Sequence, residues 1–182
     1  MNQDIGRAIV FSMPVVSAAV SLILISLDTT RSSNTVDRKI HYNMIAVYCL
    51  MILFWSGLVM HSIARDTFIA YLPVFFSSFA FIPVFLYRIT HIITDTGERK
   101  LFPACHFILP ACLTLIICAI ALAVPLRQRW AAIYDNEVNL TSAIIDITFI
   151  VCILLCILYS WLSLLRIKSY KRKIIDYSAD IY

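Results

Sequence analysis

The stretch "TSAIIDITFIVCILLCILYSWLSLL", Thr141–Leu165, decides the fold, because Asp146 is its one charged residue. About 20 mostly apolar residues suffice for a helix to cross the hydrocarbon of a bilayer. Strands of a membrane barrel would instead be about ten residues of alternating pattern. A transmembrane helix is the expected outcome. Immediately after it come five cations, Arg166, Lys168, Lys171, Arg172 and Lys173. Each Lys or Arg near an anionic leaflet contributes about 1 kcal/mol, so this collar is expected to contact the inner leaflet. The remaining "IIDYSADIY" alternates apolar and polar residues and is too short to bury a core. As a true carboxyl terminus it should fray; as a link it should become ordered only against the next helix of a longer chain.

Four further apolar runs precede this one, at residues 8–27, 42–63, 67–87 and 103–124. The expected fold is an all-α, polytopic transmembrane bundle of five spans over residues 1–165, followed by a basic cytoplasmic tail or linker over 166–182. The polar connectors are too short for a folded extramembrane domain. The amino-terminal apolar run exceeds the 7–15 residues of a signal-peptide core and no small-residue cleavage site follows it, so it should stay as a helix.

Composition agrees. The 182 residues are 61% hydrophobic and 14% charged, with three glycines, where soluble domains carry about a quarter charged residues. The net charge of +4 falls between apolar runs, which favours membrane orientation over nucleic acid as its explanation. Arg31, Arg38, Lys39, Arg88, Arg99, Lys100 and the five tail cations lie on one set of alternate connectors; Arg7, Arg65, Arg127 and Arg129 lie on the other. By the positive-inside rule the amino terminus is expected outside and the tail inside a cell inner (plasma) membrane. Trp130 and Tyr134 would then join an outer aromatic belt, with Trp161 and Tyr159 near the inner one.

Asp146 is a candidate ligand or ion contact because acids inside spans are costly and often functional. It also lies only about 7 Å into its helix at 1.5 Å per residue, within reach of interfacial water and of the helix dipole, which favours a structural role. Pro73 and Pro83 kink the third span and flank Ser77 and Ser78, and Pro110 lies in the fourth. Such helices serve as hinges, line pockets, or simply pack. Ser17, Ala18, Ser21, Ser56 and Gly57 are small enough to let helices approach closely. The histidines His41, His61, His91 and His106 sit near span ends. With Cys105, Cys112, Cys152 and Cys156 they form no CxxC or paired HxxxH, so no metal site is expected. All six cysteines lie in or beside apolar segments and read as packing residues. "NLT" at Asn139 matches a glycosylation sequon that hugs the membrane. No phosphate-binding glycine loop, HExxH or GxSxG appears; neither catalytic residues nor a cofactor is expected.

In chain order, Tyr87, Arg88 and His91, then Thr96–Arg99, then His106 and Pro110, then Tyr170–Lys173 with Asp176, Tyr177 and Ser178 resemble the membrane sensor region of Bacteroidetes AraC-type transcriptional regulators. The resemblance runs over roughly Thr67–Tyr182. It implies a multi-span sensor that continues into a cytoplasmic helix-turn-helix domain, and it adds Arg88, His91 and His106 as signal-coupling candidates. These 182 residues carry no recognition helix of the kind that reads bases, so direct nucleic-acid binding is not expected of them. The partners expected are the lipid bilayer, a helix-turn-helix output domain in a longer or neighbouring chain, and further copies of the same chain. The rival classes are a small transporter or channel-like protein, which needs polar groups facing one another near the midplane, and a structural membrane protein without ligand.

Overall fold

The computed structural model describes residues 2–31, 34–94, 102–135 and 139–179. Six α-helices and no strand occur among them: α1 (Asn2–Arg31), α2 (Thr35–Ile63), α3 (Arg65–Ile93), α4 (Ile108–Ala123), α5 (Leu126–Tyr134) and α6 (Leu140–Ala179). A single 3-10 turn, Ala104–Phe107, leads into α4. α1, α2, α3 and α6, and α4 together with its leading 3-10 turn (Ala104–Ala123), are long and apolar enough to cross a membrane, so the five expected spans are present. The Thr96–Arg99 part of the resemblance, and the side chains of its Asp176–Ser178 part, lie outside the described residues.

Local chemistry sets the helix starts. Asn34 caps α2 by accepting from the Val36 N–H at 3.1 Å, as short polar side chains do at this position. At α6, Asn139 Oδ1 accepts from the Ser142 N–H at 2.9 Å while Ser142 Oγ accepts from the Asn139 N–H at 3.0 Å. This reciprocal pair is a capping box, and it occupies the side chain of the sequon asparagine.

The most buried helix is α3, which packs against α2, α4, α5 and α6, whereas α1 packs chiefly on α2. The core gathers Phe68, Leu72, Phe75, Phe76, Ala80 and Val84 of α3 with Leu113 and Ile117 of α4 and Cys152 and Leu155 of α6. Gly57 lets α2 and α3 close on each other: a Cβ there would lie 2.6 Å from the Phe75 ring. The outward faces of α1 and α6 expose Ile9, Met13, Leu24, Ile150, Leu154 and Ile157. Contiguous apolar exposure on this scale is foreign to soluble monomers and suits lipid. Together the five spans give the architecture of a membrane-embedded bundle.

Three features differ from the sequence expectation. The polar connector after α4 folds into α5, a helix of 9 residues. The tail does not leave the fifth span as a separate linker, since α6 runs unbroken to Ala179. Finally, Tyr159 is buried in the core rather than lying in an aromatic belt, while Trp161 is exposed.

Candidate functional site

Prolines inside α3 and α4 generate the polar features of this bundle. A proline has no N–H, so the carbonyl four residues before it loses its helical donor. In lipid such a carbonyl must find another partner.

For Pro110 that carbonyl belongs to His106. The Tyr159 hydroxyl of α6 lies 3.3 Å from it and 3.1 Å from His106 Nδ1. A phenol has one proton to give. When it donates to the His106 carbonyl, Nδ1–H donates to the phenol oxygen, and that tautomer satisfies all three groups. Around this pair stand Tyr87, 5.4 Å from the His106 ring and 5.6 Å from Tyr159, and Phe102, 5.0 Å from His106. The His91 and Phe102 rings meet nearly perpendicular at 5.5 Å. Arg88 places its guanidinium 5.9 Å from both the Phe102 and Phe107 rings, within the range of cation–π attraction.

Thus Arg88, His91 and His106, separated in sequence, converge on Phe102. That residue carries no motif of its own, and nothing local in the sequence marks it. One further tie closes this end of the bundle. Arg166 Nε donates to Thr94 Oγ1 at 2.7 Å, and Thr94 Oγ1 donates to the Thr90 carbonyl at 2.7 Å. The first cation of the collar therefore docks on the end of α3, while Lys168, Lys171, Arg172 and Lys173 are exposed.

At the opposite end, Pro73 frees the Ile69 carbonyl, and Arg129 of α5 takes it. Its NH1 donates to Ile69 O at 3.1 Å and its Nε to Val124 O, at the end of α4, also at 3.1 Å. Arg129 is 7% exposed, a buried cation held by backbone oxygens. Sequence reading places it among the loop cations; the available signal is a proline in one span and an arginine in the connector after the next. Ser77 and Ser78 donate instead to the Pro73 and Val74 carbonyls at 2.5 and 2.7 Å. Pro83 is buried within α3.

Beside Arg129, the Tyr134 ring packs at a tilt against Trp130 at 4.7 Å and His61 at 5.4 Å, under the Arg65 guanidinium at 5.1 Å. Burial pushes the Tyr134 hydroxyl above its usual range, with Arg65 pulling the other way.

Asp146 is exposed and makes no hydrogen bond or ion pair to any described residue. It borders a groove of about 260 Å³ between α2, α3, α5 and α6, which also holds His61. A second, more polar hollow of about 440 Å³ lies between α1 and α2, lined by Ser26, Thr29, Thr30, Arg38 and Tyr42. The Ser26, Thr29 and Thr30 hydroxyls already donate to carbonyls of their own helix, and the Tyr42 hydroxyl accepts from Arg38 at 3.4 Å. No group of three or more His, Cys, Asp or Glu side chains is assembled for a metal ion among the described residues.

No family model, curated protein or solved structure matches the chain.

Proposed function

We propose that this chain is the signal-transducing membrane region of a transcription regulator, acting on a cytoplasmic helix-turn-helix partner through α6. The observation that carries the reading is the continuity of α6, 40 residues without a break. At 1.5 Å per residue such a helix is about 60 Å long, against a hydrocarbon layer of about 30 Å. One end packs in the core, and the other carries the basic collar beyond it.

Two contacts couple this rod to the rest of the bundle, Tyr159 to His106 and Arg166 to Thr94. The first reaches the carbonyl that Pro110 leaves without a helical donor, and the second reaches the C-cap of α3. Signalling requires two states with different affinity for a ligand. In this reading the states differ in whether α6 is seated on the 3-10 turn and on the end of α3. The resemblance to AraC-type sensor regions supplies the output class.

The test begins at the gene. A helix-turn-helix in the same or the adjacent reading frame is expected, and its absence overturns the reading. With that partner present, one to seven residues inserted after Lys173 rotate the output by about 100° each. Transmission through a rigid helix predicts promoter activity that oscillates and returns at seven. Activity indifferent to the insertions would count against it.

A further inference from the structure

The groove bordered by His61 and Asp146 has features that bear on what it would hold. Its floor and wall are aromatic, with Phe68, Phe75 and Phe76 of α3 buried and Phe149 of α6 partly exposed. Its polar groups are a carboxylate, which only accepts hydrogen bonds, and an imidazole, which donates from one nitrogen. Neither side chain has a hydrogen-bond or ion-pair partner among the described residues.

Both residues lie within the apolar spans but close to their ends: Asp146 is in the second turn of α6 and His61 in the last turn of α2. The groove thus opens where hydrocarbon gives way to headgroups. At about 260 Å³ it sits just under the usual size of small-molecule sites, about 300–1,000 Å³.

Charge selects among ligands. An anion would meet the Asp146 carboxylate. A cation would be welcome there, but it would also meet the side of the groove where Arg65 lies over Tyr134 and Tyr134 touches His61. A neutral hydroxyl escapes both penalties, since its O–H can donate to a carboxylate such as Asp146 and its oxygen can accept from an imidazole N–H such as that of His61. The four phenylalanines favour a flat ring behind that hydroxyl.

We propose that this groove is a binding site for a neutral, hydroxyl-bearing aromatic lipophile, a ring alcohol of the phenol or quinol class that enters from the bilayer. The site stands independently of the output assigned to α6. Occupancy bridges α2 and α6 across α3.

The full chain in lipid nanodiscs tests this with 1-naphthol as the probe, read by its own fluorescence and referenced to empty nanodiscs to remove partition into lipid. Naphthalene, 1-naphthoate and 1-naphthylmethylammonium serve as apolar, anionic and cationic comparisons. Saturable binding of 1-naphthol at least tenfold tighter than each comparison is expected. Asp146→Leu and His61→Leu should each weaken it about tenfold, as loss of a hydrogen bond to a polar or charged partner does. Asp146→Asn, which keeps an acceptor, should weaken it less. Both positions are exposed, and an unchanged thermal transition separates lost binding from lost folding. A charged probe that equals or exceeds 1-naphthol overturns the proposal. So does binding no greater than in empty nanodiscs, or binding indifferent to both substitutions in folded protein.

Discussion

At the scale of single residues, this bundle is governed by carbonyls that proline leaves without a donor. Arg129 and Ile69 are 60 residues apart in sequence, and their bond exists because Pro73 lacks an N–H. A buried carbonyl without a partner costs about 1–3 kcal/mol. Arg129→Met should therefore lower stability in detergent by about that amount, while the exposed Arg127→Met stays within about 0.5 kcal/mol. Pro73→Ala restores the backbone donor, so the Arg129→Met cost should shrink when the two are combined. A thermal double-mutant cycle measures this, and simple additivity would deny the pairing. Tyr159→Phe strips the donor from the His106 carbonyl and should cost a similar 1–3 kcal/mol, again about one unsatisfied group. Asp146→Asn touches no described partner and should leave the thermal transition nearly unchanged. A drop of several kcal/mol, about 3–5, would instead mark a broken buried charge pair.

Elements were legible in the sequence to the extent that lipid dictates them. Thr141–Leu165 had to be a helix because a span has no water to satisfy its backbone, and the other four runs follow by the same physics. Hydropathy marks where the lipid ends, however, and not where the helix ends. The residues after Leu165 contain no Gly or Pro as far as Ala179 and are rich in Lys and Arg, which are good helix formers, so α6 continues in a different solvent. The sequence gives no comparable signal for α5: "LRQRWAAIY" is neither apolar nor long, and tertiary capping by Arg129 fixes it. The same holds for the convergence of Arg88, His91 and His106 on Phe102, since the chain pattern names three of these residues but not the ring where they meet. Isolated helix in water is marginal below about 12–15 residues, and Lys173, Ile174 and Ile175 are exposed. Hydrogen exchange in nanodiscs should be slow from Ile144 to Ser163 and accelerate after Lys173. Equal protection along the whole of α6 would mean that a partner covers its end.

For the whole molecule, the side-chain contacts bear on which way charge orients the bundle. The positive-inside rule counts cations that remain available to the leaflet or the translocon. One set of alternate connectors carries Arg31, Arg38, Lys39, Arg88, Arg99, Lys100 and the five tail cations; the other carries Arg7, Arg65, Arg127 and Arg129. Within the smaller set Arg129 is buried on two backbone carbonyls and Arg65 lies over Tyr134, so the folded protein has fewer free cations on that face than the count implies. In the larger set Arg166 is held by Thr94 and Arg88 lies over two phenylalanines, but Lys168, Lys171, Arg172 and Lys173 are exposed. The asymmetry therefore persists after the engaged side chains are discounted. An external amino terminus and an internal tail are the expected outcome. Alkaline phosphatase fused after Asp135 should be active, and a fluorescent protein fused after Tyr182 should fold in the cytoplasm. Moving the bias tests its cause: replacing Lys168, Lys171, Arg172 and Lys173 with Gln removes most of the collar and cuts the bias from eleven against four to seven against four, so a mixed population is expected. If both fusions report the opposite sides, the charges do not orient this bundle, and the α6 route to a cytoplasmic partner fails with them.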